Sequence, residues 1–166
     1  PPGSSLGRNN MLSFFTYYAD GTHPIRDFAR RIVLRDCTVE NADRFLHYNY
    51  DNEQWQRGVP MTDITFERVK AAGIRLPLCA YGAKGHDVKL DLTLKDCEIS
   101  FAQPVAELIR GAEIGRLTLE NVTVTGVEGP LLRLWRDFRP AVRAKNLNGV
   151  SEAVVSGTGA FDVKGI

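Results

Sequence analysis

The 166 residues are 43% apolar, 25% charged and 9% aromatic, enough for one buried core and too few for two ordinary domains, so a single domain over 1–166 is expected. The 21 Lys and Arg against 20 Asp and Glu leave a net charge of +1, and nucleic acid is not expected as a partner. No apolar run reaches the roughly 18 residues of a spanning helix, which argues against membrane insertion. Cys37, Cys79 and Cys97 form no C-x-x-C pair and are odd in number, while His23, His47 and His86 are scattered; neither a disulfide framework nor a metal or other cofactor is expected.

The chain opens on Pro1-Pro2-Gly3 without an initiator Met, and the expectation is a fragment of a longer chain. Leu12 to Tyr18 reads as a strand of an earlier coil, and residues 24–31 have the composition of a helical turn on a loop. A repeat begins at residue 32. Five segments align: Ile32 to Val39, Ile64 to Ala71, Leu92 to Ile99, Leu117 to Val124 and Val142 to Gly149, starting 32, 28, 25 and 25 residues apart. Apolar residues fall at their first, third, sixth and eighth positions, Gly149 excepted. Side chains alternate along a strand, so this spacing describes two short strands with a bend that absorbs one residue. A helix would show a period near 3.6.

The fifth position reads Asp36, Arg68, Asp96, Asn121 and Asn146. Asn and Asp tolerate the left-handed backbone of a tight corner, so corners are expected there, with a distortion or an outward side chain at Arg68. A third strand follows each pair: Phe45 to Tyr50, Leu76 to Tyr81, Val105 to Arg110, Leu131 to Arg136 and Ala153 to Ser156. Three strands per turn of about 25 residues, stacked about 4.8 Å apart, describe a parallel β-helix of five to six coils over 11–156, followed by a tail or cap at 157–166. A β-sandwich would need hairpin turns between these strands, and they are missing. Cys37 and Cys97 then occupy one inward column two coils apart, too far for a disulfide, and are expected as buried thiols.

The cadence of Ile64-Thr-Phe-Glu-Arg-Val69 and Leu117-Thr-Leu-Glu-Asn-Val122 resembles the coils of pectin-lyase-like right-handed parallel β-helices, particularly polygalacturonase-type glycoside hydrolases of family 28 and their Bacteroidales relatives. The resemblance covers about residues 11–156. It implies an all-β, right-handed parallel β-helix and a carbohydrate-active protein, part or relative of a pectin or polysaccharide hydrolase, secreted or periplasmic, with a polysaccharide or oligosaccharide as partner. The family's Asn-Thr-Asp, Asp-Asp, Gly-His-Gly and Arg-Ile-Lys motifs do not stand in this sequence. A noncatalytic glycan-binding or structural module is therefore the rival expectation.

With Leu46, Leu78, Leu108 and Leu134 directed to the core, the third strands present two outward columns: Thr16, His47, Cys79, Glu107 and Arg133, and Tyr18, Asn49, Tyr81, Ile109 and Trp135. The insertion from Asp51 to Pro60 follows the strand that carries His47. If the chain is catalytic, Asp43, Asp51, Glu53 and Glu107 are the candidate acid/base carboxylates, with His47 assisting. Trp55, Tyr81, Arg133 and Trp135 are candidate substrate contacts, because flat rings pack against sugar C–H faces and arginine fixes acidic groups. The bland alternatives are a Glu107–Arg133 ion pair, a loop-capping Trp55, and Asp43 paired with Arg44 or another neighbour. Asn121-Val122-Thr123 matches the glycosylation pattern but lies on a corner. The end coils must be covered, by further N-terminal coils, by a homo-oligomer, or at one end by Phe161, Val163 and Ile166.

Overall fold

Parallel pairing between coils organises the whole molecule. In the computed structural model, the structure describes residues 13–14, 30–49, 61–82, 84–85, 87–136 and 138–157. The described residues form thirteen strands: β1 (Ser13–Phe14), β2 (Ile32–Arg35), β3 (Thr38–Glu40), β4 (His47–Asn49), β5 (Asp63–Glu67), β6 (Lys70–Ile74) and β7 (Leu78–Tyr81), then β8 (Leu90–Val105), β9 (Ile109–Ala112), β10 (Ile114–Val127), β11 (Pro130–Leu134), β12 (Ala141–Asn148) and β13 (Ser151–Ser156). No helix occurs among the described residues. One sheet runs β12-β10-β8-β5-β2, with β6 beside β8 and β3 beside β6, and a second runs β1-β4-β7-β9-β11-β13. Both are parallel throughout, which excludes a hairpin-built sandwich. The result is a β-solenoid of about four turns, slightly fewer than the five to six coils expected.

Register stacks like positions. Leu34, Phe66, Leu94, Leu119 and Ala144 are successive Cα partners, as are Ile32, Ile64, Leu92, Leu117 and Val142. In the three inner coils the side chains of these columns are essentially inaccessible to water, and each such burial contributes about 1.5–3 kcal/mol. Phe45 meets Phe66 across the interior with centroids 4.4 Å apart. The Tyr48 hydroxyl accepts a hydrogen bond from the Met61 amide at 3.0 Å, tying one coil to the start of the next. All three cysteines are free, but only Cys79 and Cys97 are buried; Cys37 lies in the end coil and is half-buried. Burial pushes the Cys97 thiol up, away from reactivity.

The five expected corners all adopt left-handed backbone, with φ of 56° at Asp36, 52° at Arg68, 52° at Asp96, 52° at Asn121 and 53° at Asn146. Arg68 shows no distortion and points outward. The reason is local charge: Arg68 stands between two acidic corners and gives Asp36 two bonds, at 2.6 and 2.9 Å, while also pairing with Glu67. Beyond it the corner side chains form a ladder. Asn146 donates to Asn121 at 2.8 Å, and Asn121 donates to Asp96 at 2.7 Å; Asp96, an acceptor only, ends the chain of donors. One residue before each corner, Arg35, Glu67, Lys95, Glu120 and Lys145 alternate in sign along the stack, with Arg35 bonded to Glu67 at 3.1 Å. Cross-strand pairs of opposite charge favour this register over one that places like charges together.

Two outcomes are expected. Asn121→Ala forces an alanine into left-handed backbone and removes two ladder bonds, costing about 1–2 kcal/mol in urea unfolding, whereas Asn121→Gly costs less; equal losses would show that backbone conformation is not the cause. The Arg68 hydrogen bond holds the Asp36 carboxyl below its usual range, so its contribution is present above about pH 4 and fades as pH falls through the lowered value. The stability gap between wild type and Asp36→Asn therefore narrows between pH 7 and pH 2.5; a constant gap contradicts the assignment.

Candidate functional site

The outer face of the second sheet is the wall on which the third-strand columns lie. Pairing places His47, Cys79, Arg110, Arg133 and Val155 in one outward column. Glu107, expected in it, instead precedes β9, and Arg110 holds the place. Ile109 is likewise inward: it stacks on Leu78 and Leu132 and is fully buried, while Ala112 pairs with Tyr81 in the second column. Adjacent Leu108 and Ile109 left the parity of that strand open in the sequence, and pairing with Leu78 chooses Ile109. The backbone of β1 sets Ser13, not Thr16, beside His47, and Tyr18 lies outside the described residues.

Around this wall, Glu107 is 1% exposed and engaged by two guanidinium groups. Arg133 Nε donates to one carboxylate oxygen at 3.0 Å and Arg110 Nε donates to the other. The Arg110 guanidinium also lies 5.8 Å from the centre of the Trp135 ring, a cation–π distance. Trp135 is half-buried and meets Tyr81 edge-on, with centroids 6.2 Å apart. Tyr81 is 2% exposed, and burial pushes its hydroxyl far above the usual range, which leaves a neutral phenol. His47 is buried at the start of β4.

A second clamp stands where β9 turns into β10. Glu113, with φ of 56°, accepts from Lys89 at 2.5 Å and from Arg136 at 3.3 Å, and the Lys89 ammonium sits 5.2 Å from the Phe138 ring centre. Sequence reasoning missed Arg110, Glu113, Lys89 and Arg136. The first was discoverable from strand parity; the others depend on which turns meet.

The structure thus brings together Glu107, Arg133, Tyr81 and Trp135, and engages Asp43 separately. Asp43 lies on the bend before β4 and pairs with Arg75 of the next coil at 3.2 Å. Asp51, Glu53 and Trp55 lie outside the described residues, as do the insertion that carries them, His86, residues 24–29 of the helical turn expected over 24–31, whose described residues Arg30 and Arg31 are not helical, and the tail residues Phe161, Val163 and Ile166. Among the described residues no cluster of three His, Cys, Asp or Glu has metal-binding geometry. Asn121 of the glycosylation pattern uses its side-chain nitrogen in the corner ladder.

A feature the sequence did not point to is an open groove of about 460 Å³ along the outer face of β3, β6, β8 and β10. Thr38, Glu40, Lys70, Glu98, Ser100 and Thr125 line it, with Lys70 and Glu98 paired at 3.4 Å. It is rich in hydroxyls but carries no aromatic platform among its lining residues.

No protein-family model, curated protein or solved structure matches the chain.

Chemically, Glu107 has both oxygens committed to charged donors, and the described residues beside it are positive and aromatic groups. Glu107→Ala strands Arg110 and Arg133. A fully buried pair costs roughly 3–5 kcal/mol to break, and because both arginines are about one-third exposed, about 2 kcal/mol is expected in urea unfolding. A loss below 0.5 kcal/mol, roughly that of an exposed pair, would contradict the clamp.

Proposed function

We propose that the chain is a carbohydrate-recognition β-solenoid which binds an acidic, pectin-like glycan without cleaving it. The arrangement of Arg110 and Arg133 on Glu107, with Arg110 over the half-buried Trp135, carries this reading. Across the two clamps the wall holds four cationic side chains against two carboxylates, a local surplus suited to uronate groups, while the exposed part of the indole suits the C–H face of a sugar ring. The resemblance to pectin-active β-helices points to the same substrate class. The absence of that family's catalytic motifs, together with the committed Glu107, favours binding over hydrolysis.

The test pairs affinity electrophoresis on polygalacturonate and on a neutral glycan with a reducing-end assay. Retention is expected on the acidic polymer alone. Trp135→Ala should weaken it about tenfold, equivalent to about 1.4 kcal/mol, and no new reducing ends should form. Turnover would overturn the noncatalytic reading, and lack of retention on the acidic polymer would overturn recognition itself.

A further inference from the structure

The end coil formed by β12 lacks what every inner coil has, a strand on both sides. β12 pairs with β10 alone among the described strands. Its inward residues Val142, Ala144 and Leu147 are only partly buried, whereas Leu117, Leu119 and Val122 one coil below are at most 1% exposed. An edge of this kind presents unpaired backbone groups beside an apolar cross-section and is a template for another strand.

The chain contains a segment that matches this template. Phe161-Asp-Val-Lys-Gly-Ile166 repeats the coil cadence, with apolar residues at the first, third and sixth positions. Its fifth position is Gly165, where all five corners of the solenoid require left-handed backbone. Pairing makes Gly111, Leu134 and Ser156 equivalent, and the next cadence start comes six positions on at Leu117, eight at Val142 and five at Phe161, one shorter than the shorter of the two preceding connections.

We propose that the open edge of β12 is the docking surface for this chain's own residues 161–166, set in parallel with Phe161 opposite Val142, Val163 opposite Ala144 and Ile166 opposite Leu147. That register places Asp162 opposite the exposed Arg143, a complementary pair. It also sets Lys164 opposite Lys145, the one discordant place, since the alternating column calls for an acid there. A head-to-tail second copy joining β12 to β2 would meet the same discord, Lys145 against Arg35, and fits less well because it would set Val33 rather than an acid opposite Arg143.

Backbone hydrogen exchange on the full chain tests this, with β8 as the internal reference. Asp162→Arg should speed exchange in β12 about threefold or more and leave β8 unchanged. Combining it with Arg143→Asp should return β12 to within about twofold of wild type, because the pair is restored with its signs exchanged. Lys164→Glu should slow β12 exchange by extending the alternation, and this variant removes a repulsion rather than a contact. Unchanged β12 exchange in Asp162→Arg, failure of the swap to restore it, or equal acceleration of β8 each overturns the proposal.

Discussion

Every structural feature of this chain follows from one constraint: a coil's backbone hydrogen bonds to the coils above and below, so whatever stands at one position of the repeat is held about 4.8 Å from its counterparts. Register therefore acts on all columns at once. Leu34 above Phe66 above Leu94 makes a core, Asn146 above Asn121 above Asp96 makes a polar ladder, and Arg35 above Glu67 above Lys95 makes an alternating charge column. Slipping one coil by one residue would turn apolar side chains outward and charges inward.

The corners make that stacking possible. Left-handed backbone costs most side chains roughly 1–2 kcal/mol, and Asn and Asp reduce the cost through local hydrogen bonding. Arg68 has no such intrinsic tolerance, yet it adopts the same φ as its neighbours in the column. Its two bonds to Asp36 lie along the stacking direction, so the neighbouring coil, together with the preceding Glu67, supplies what the residue lacks by itself. The same logic explains half of the wall clamp: Arg133 comes into reach of Glu107 because β9 and β11 are neighbours in the second sheet, whereas Arg110 reaches it from three residues along the chain.

Polar groups on the wall are thus arranged mutually before any ligand is considered. Two buried carboxylates, each held by two cations, set the positions of Arg110, Arg133 and Arg136, with Arg110 over Trp135. Such preorganisation lowers the ordering cost of binding, since rotamer-rich side chains are already fixed. It also commits both oxygens of Glu107 to its arginine partners.

The sequence by itself determined the coil, because its apolar spacing, its Asn and Asp corners and its period near 25 residues are local properties repeated often enough to be read without contacts. It also determined most of the two wall columns, since strand alternation fixes which residues share a face. Only the tertiary structure decided between Leu108 and Ile109, where two adjacent apolar residues make parity ambiguous and pairing with Leu78 resolves it. Only the tertiary structure, likewise, made Glu107 and Glu113 buried clamps and opened the hydroxyl-lined groove across β3, β6, β8 and β10. Those features depend on how separate coils approach one another, and a one-dimensional pattern carries the period of the stack but not the shape of its surface.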